Sequence, residues 1–366
     1  MTGDAGWMRA ALGLAARGLG RTAPNPSVGC IIVRDGIVVG RGRTGDGGRP
    51  HAETVALARA GERARGATAY VTLEPCAHHG ATPPCAEALV AAGIARAVVA
   101  IRDPDKRVAG RGIERLRGAG IEVVPDVLAE AARGLNLGFL SRIERGRPMV
   151  TLKLATTLDG RIATSGGESR WITGEAARQA GHLLRRSHDA VCVGSGTVLA
   201  DDPALTVRLP GLEQPAPLRI AVDGRLQTPL TAKLVRDAGA VPTLILTLDT
   251  TDPLRRQAFR DCGVEVAALP AGADGRIDLK AALALLGGRG LTRILVEGGA
   301  TLAAALLARG LVDRLAWFRS GGLLGGDALP AIGPLGLRHL ADQQRFMRLA
   351  TTRLGEDVLE SWAVQP

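Results

Sequence analysis

Three side chains in the first quarter of the sequence carry the chemistry of a metal centre: His51, Cys76 and Cys85. One imidazole and two thiols are borderline-to-soft donors that suit zinc. Three protein ligands leave the fourth tetrahedral position open to water, which marks a catalytic rather than a structural site. Glu53 stands two residues beyond His51. A carboxylate there can take a proton from that water, pass it to a ring nitrogen and then protonate the departing amine. The sum is hydrolytic deamination, in the His-x-Glu plus Pro-Cys pattern of zinc deaminases.

The elements around these residues fit that task. Residues 52–60 read as a helix opened by His51 behind Pro50, residues 68–73 as a strand leading to Glu74-Pro75-Cys76, and residues 84–92 as a helix opened by Cys85 behind Pro83-Pro84. Helix N-termini carry partial positive charge, which favours thiolate over thiol. At a helix start the imidazole can turn to the metal while Glu53 reaches the water. A helix at 7–19 and a hairpin (28–33 and 37–39, turning at Asp35-Gly36) come before. Strands near 96–101 and 121–124 with a helix at 111–118 come after. A linking helix at 126–140 leads to the polar run Arg142–Pro148, which breaks the pattern and sets the domain boundary: 1–145 and 146–366.

The second domain opens on a strand at 149–155 and a turn at Asp159-Gly160. Helices are expected at 174–186, 278–286 and 300–309, and strands at 190–194, 218–223, 242–248, 292–296, 312–318 and 358–363. No Gly-x-Gly-x-x-Gly follows its first strand, so a Rossmann domain is not supported. Ile294 to Val296, then Glu297-Gly298-Gly299, then Ala300 onward read instead as strand, Gly-Gly turn and helix, a backbone anion site or simply a tight turn. Gly194 to Arg208 runs from a strand into a loop rich in hydroxyls with Asp201, Asp202 and Arg208.

Pro24-Asn25-Pro26-Ser27-Val28-Gly29-Cys30, His51-Ala52-Glu53, and Thr72 through Cys85 with eight residues between the two cysteines together resemble the bifunctional riboflavin-biosynthesis deaminase/reductase family. Leu152–Arg161, Ser169–Thr173, His182–Arg185 and Gly194–Arg208 resemble its reductase half. The resemblance implies an α/β protein: a cytidine-deaminase-like three-layer domain followed by a dihydrofolate-reductase-like one. It implies deamination of 2,5-diamino-6-(5-phosphoribosylamino)pyrimidin-4-one with one Zn2+, then reduction of the ribosyl to a ribityl chain by NADPH. His51, Cys76 and Cys85 would hold zinc and Glu53 would shuttle the proton.

Asn25 would hydrogen-bond the pyrimidine, or serve only as a turn residue between prolines; His78 and His79 would contact substrate or brace the cysteine loop. The cofactor would lie against Ala155, Trp171, Thr197, Asp201, Gly224 and the run Gly299, Ala300, Thr301, Leu302, Ala303, Ala304 and Ala305. Substrate would meet Ser169, Arg185, Leu205, Arg208 and Glu297, the two arginines being natural phosphate partners. Lys153 either polarises the opened sugar or donates a proton, or is an edge-strand lysine without a role. Asp201 either serves ribose or proton transfer or caps a turn. The family's apolar strand before its Leu-Leu-Gly stretch is replaced here by Trp317-Phe318-Arg319-Ser320-Gly321-Gly322.

Composition narrows the field further. A net charge of +10 invites nucleic acid, yet only four of the 46 basic residues are lysine, the arginines are dispersed, and aromatics are 2%. Nucleic-acid binding is therefore not expected. Five cysteines argue against a disulfide framework, and Cys30, Cys192 and Cys262 read as core residues. No long apolar run or secretion signal is present, so a cytoplasmic enzyme is expected, homo-oligomeric, acting on phosphorylated pyrimidines. The competing reading is a nucleoside or nucleic-acid deaminase with an accessory C-terminal domain.

Overall fold

The structure, a computed structural model, describes residues 3–77, 83–105, 109–213 and 215–365. The chain forms two compact units that divide between Gly146 and Arg147.

The first unit has strands β1 (Gly29–Arg34), β2 (Ile37–Arg43), β3 (Thr68–Val71), β4 (Arg96–Val99) and β5 (Glu122–Val124), in the order β2-β1-β3-β4-β5. Strand β1 pairs antiparallel with β2 and β3, and β3, β4 and β5 run parallel. Helices α1 (Asp4–Ala16), α2 (Ala52–Ala60), α3 (Cys85–Ala91), α4 (Arg111–Gly118) and α5 (Ala129–Arg145) accompany the sheet. The hairpin turns on Asp35 and Gly36, both at positive φ (51° and 74°), the geometry that matches strand twist. Helix α5 runs through Arg142 to Arg145, past the expected break. It stops where Gly146 takes a left-handed conformation that most side chains avoid.

One glycine governs how the site is built. A side chain at Gly42 would run into the Ala52 carbonyl at the first turn of α2. Its absence lets α2 lie directly on β2, which sets the height of His51 above the sheet. The core is aliphatic: Ile32, Val71, Leu89, Val98 and Leu116 are each fully buried or nearly so.

The second unit adds β6 (Met149–Thr156), β7 (Arg161–Ala163), β8 (Ala190–Gly194), β9 (Leu218–Val222), β10 (Thr243–Leu248), β11 (Glu265–Leu269), β12 (Arg293–Glu297), β13 (Arg314–Arg319), β14 (Leu329–Pro330), β15 (Phe346–Leu354) and β16 (Asp357–Val364). Its helices are α6 (Glu175–Arg186), α7 (Ser195–Asp201), α8 (Lys233–Arg236), α9 (Pro253–Asp261), α10 (Leu279–Gly288) and α11 (Ala300–Ala308). Nine strands form one sheet in the order β11-β10-β9-β8-β12-β6-β13-β16-β15, parallel from β11 to β13 and antiparallel from β13 to β15. Parallel strands covered on both faces need apolar residues throughout, and Val150, Leu152, Ile220, Leu244 and Ile294 are almost fully buried.

Several expectations are corrected here. Strands β11 and β15 and helices α7, α8 and α9 were not anticipated, and Cys262 lies exposed at the end of α9 rather than in the core. Lys153 sits on β6, an interior strand flanked by β12 and β13. The Trp317–Arg319 segment keeps regular strand pairing on both sides, with Arg319 salt-bridged to Glu360 at 2.9 Å. Among the described residues no helix is long and apolar enough to cross a membrane.

Candidate functional sites

His51 is the N-cap of α2 and Cys85 the first residue of α3, while Cys76 follows β3 by five residues. Their donor atoms lie within 4.8 Å of one another. His51 Nδ1 is 3.2 Å from Cys85 Sγ and 3.7 Å from Cys76 Sγ. A tetrahedral zinc with ordinary Zn–N and Zn–S bonds requires such N···S separations of about 3.6 Å. The spacing and the N/S donor set therefore fit that ion. The Cys85 backbone N–H, at the head of α3, donates to Cys76 Sγ at 3.3 Å. Hydrogen bonds from Cys85 and His51 draw the Cys76 thiol down to about 4, so Cys76 is held as thiolate.

Glu53 is only 4% exposed, and its charge is felt by His51, Cys76 and Cys85, so its carboxyl faces the three donors. Burial pushes that carboxyl up to about 7, against the pull of a backbone hydrogen bond, and the Cys76 charge adds to the rise. A buried carboxyl near neutrality can both accept and return a proton.

Glu74 acquires a role that the sequence did not reveal. Its buried carboxylate accepts four backbone N–H groups, those of Asp103 (3.2 Å), Gly110 (3.0 Å), Gly112 (2.9 Å) and Ile113 (3.1 Å). The loop carrying Cys76 is thereby tied to the head of α4. Removing a buried charged acceptor costs several kcal/mol. Glu74→Ala is expected to lower the stability of the first unit by about 3–5 kcal/mol and to weaken zinc retention, read by thermal unfolding and metal content.

Asn25 donates to the Gly48 carbonyl at 3.2 Å, which places it against the segment leading into His51. His78 and His79 lie outside the described residues.

In the second unit a cleft of about 410 Å³ opens at the ends of the parallel strands. Gly224, Gly299, Thr301, Leu302 and Ala305 line it. Gly298 and Gly299 both hold positive φ (80° and 86°), which leaves the first amides of α11 facing outward for an anion. A side chain on Gly299 would sit 3.3 Å from Thr197 Oγ1, so Thr197 of α7 abuts the same turn. The glycine-lined floor and helix start fit a dinucleotide phosphate. Ala303 and Ala304 pack into the core beneath, and Asp201 ends α7, its carbonyl accepting Arg170 at 3.0 Å. The cleft also holds Arg225 and Arg276, which were not anticipated; the signal was an arginine beside each of two strand-end turns.

A second, smaller pocket of about 120 Å³ is lined by Lys153, Ala155, Trp171, Arg185, Arg208 and Glu297 among others. Arg185 and Glu297 form a bidentate pair at 2.6 and 2.9 Å. Burial alone would raise the Glu297 carboxyl, but Arg185 holds it down to about 2. A carboxylate depressed in the folded state contributes stability above its ordinary value near 4.5 and loses it as pH falls toward 2. Glu297→Gln is expected to cost on the order of 2 kcal/mol at neutral pH. The two melting curves should draw together as the pH falls from about 4.5 and meet only near pH 2, as unfolding against pH would show.

Leu205 lies in a buried core cluster at 2% exposure, so its side chain does not enter this pocket, and Ser169 does not line it either. Lys153 Nζ stands 5.6 Å from the Phe318 ring centre, and Arg178 stacks on Trp171 at 4.6 Å.

The family described as cytidine and deoxycytidylate deaminase zinc-binding region matches residues 1–101, and the RibD C-terminal domain matches residues 148–359. The chain thus joins a zinc deaminase of the cytidine-deaminase fold to a dihydrofolate-reductase-like NADPH reductase. It is 42% identical over 356 residues to the riboflavin biosynthesis protein RibD of Aquifex aeolicus, covering 97% of each chain. To that of Escherichia coli it is 43% identical over 367 residues, covering 97% of this chain and 98% of the other. The solved Acinetobacter baumannii RibD superposes with a TM-score of 0.88 at 41% identity, covering 99% of both chains. The diaminohydroxyphosphoribosylaminopyrimidine deaminase/5-amino-6-(5-phosphoribosylamino)uracil reductase of Thermotoga maritima gives 0.86 at 33%, again covering 99% of both. The chain belongs to the RibD family, the bifunctional deaminase/reductases of riboflavin biosynthesis. The alternative of a deaminase with a merely accessory C-terminal domain is set aside by the reductase match.

Proposed function

We propose that residues 1–145 deaminate 2,5-diamino-6-(5-phosphoribosylamino)pyrimidin-4-one and that residues 146–366 then reduce the ribosyl chain of the product to ribityl. The convergence of one imidazole, two thiols and a buried carboxyl carries the first half. His51, Cys76 and Cys85 hold the zinc. When bound, the ion makes a water acidic enough to act as nucleophile near neutral pH. Glu53 accepts the proton released as the water oxygen bonds to the ring carbon and delivers it to the ring nitrogen; it then takes the second proton from the new hydroxyl and passes it to the amine, which leaves as ammonia while the carbonyl forms. Asn25 orients the pyrimidine.

In the second half NADPH supplies hydride to C1 of the opened sugar. Gly224, Thr197 and the residues from Gly299 to Ala305 bind it along the larger cleft, with Ala155, Trp171 and Asp201 on the approach to the smaller pocket. Arg185 and Arg208 take the substrate phosphate and Glu297 completes that side; Ser169 and Leu205, which do not line the pocket, make no direct contact there. Lys153, beside Glu297 on the neighbouring strand, would polarise the imine left at C1 when the sugar opens and supply the proton that its nitrogen takes up as hydride reaches C1. The enzyme is cytoplasmic, and it is a homo-oligomer, the second reading being supported by the edge strand β15 with Met347 54% and Leu349 50% exposed.

Supplying the diamino-pyrimidinone ribosyl phosphate and resolving products by mass tests the order. Without NADPH only the deaminated ribosyl species should accumulate, and with NADPH its ribityl form. A reduced product that still carries the amine would reverse the order.

A further inference from the structure

We infer that Arg225 and Arg276 clamp the 2′-phosphate of NADPH and so set the preference for NADPH over NADH; this rests on the reading of the larger cleft as the cofactor site. Both residues line that cleft. Arg225 directly follows Gly224 and Arg276 directly precedes Ile277, and a Cβ on Gly224 would lie 3.6 Å from Ile277 and from Leu248. The two arginines therefore flank the same apolar slot, a floor suited to a base ring.

Each arginine stands on a rigid turn. The buried Asp223 carboxylate accepts the backbone N–H of Gln227 at 2.9 Å and of Thr228 at 2.7 Å, which closes the loop around Arg225. Arg276 sits on a tight hairpin closed by the Gly272 N–H to the Arg276 carbonyl at 2.7 Å and by the bridge between Ala271 and Ile277.

Local charge completes the case. The cleft also contains Asp274 and Arg309, but these neutralise each other in a 2.8 Å salt bridge, and Asp274 further accepts the Arg276 backbone N–H. Among the described residues neither Arg225 nor Arg276 has a side-chain partner. Two unpaired guanidinium groups facing one slot offer bidentate recognition of a dianionic phosphate, the one group that distinguishes NADPH from NADH.

The test is equilibrium binding of NADPH and NADH to the full chain, followed by nicotinamide fluorescence. Arg225→Ala and Arg276→Ala should each weaken NADPH binding about 10-fold, and the double variant about 100-fold, with NADH binding unchanged. On the unaltered chain NADPH affinity should fall more steeply with salt than NADH affinity. A NADPH/NADH ratio that survives both substitutions, or affinities for both dinucleotides that fall together, would overturn the clamp. Gly224→Phe separates this from the underlying reading. The added ring meets only ordinary contacts at its base and fills the slot. Loss of both dinucleotides in that variant upholds the cleft as the cofactor site, and unchanged binding of both removes it.

Discussion

Glu53→Gln is expected to slow deamination by about 10²–10⁴-fold while the protein keeps its full complement of zinc. Glutamine preserves the shape of the side chain and removes only the ability to carry a proton. The three donors are untouched, and no buried charge is left without a partner, because the substituted group is itself the buried acid. Folding should therefore be unharmed, and reduction of pre-deaminated substrate by NADPH should proceed at the unaltered rate. Metal analysis, ammonia release and NADPH consumption read the three quantities separately. Deamination that persists within a few-fold would remove Glu53 from the reaction.

The second large effect concerns the metal itself. Cys85→Ser should lose zinc and drop deamination to background, a fall of more than about 10²-fold. A serine hydroxyl is not ionised near neutral pH and is a poor zinc ligand beside a thiolate. Cys85 also orders Cys76 through its amide, but that N–H belongs to the backbone and survives the change. The loss thus reports the sulfur alone. Chelation of the unaltered protein should reproduce it and added zinc should reverse it. The reductase half holds none of the three donors, so NADPH consumption on deaminated substrate should not change in either experiment. Deaminase activity in zinc-free protein would end the metal reading.

The first unit was the more legible in sequence. The two helices that carry the site start behind Pro50 and Pro84, at His51 and Cys85, so the local signals that open a helix coincide there with the chemically active residues. Glu74 escaped because its four partners come from residues 103–113, a contact that no local pattern encodes. The second unit was less legible at its edges. Strand β15 carries Arg348, Thr351, Thr352 and Arg353 on an almost wholly exposed ribbon, without the apolar alternation that announces a strand. Helix α7 has only seven residues and begins Ser-Gly-Thr, which reads as loop until packing holds it. The cleft arginines were passed over for a related reason. Each is an exposed turn residue in sequence, and only the adjacency of Gly224 and Ile277 makes them neighbours.

Glu297 belongs to the smaller pocket and Gly299 to the larger, with one residue between them. Consecutive Cα atoms are about 3.8 Å apart whatever the side chains do. Under the proposed assignment of the two chambers, the spacing between the phosphate-binding turn and the substrate side is thus written into covalent bonds rather than into packing. Sequence drift can enlarge, shrink or recharge either chamber without altering that offset, whereas a single inserted residue at Gly298 would desynchronise the two occupants in one step.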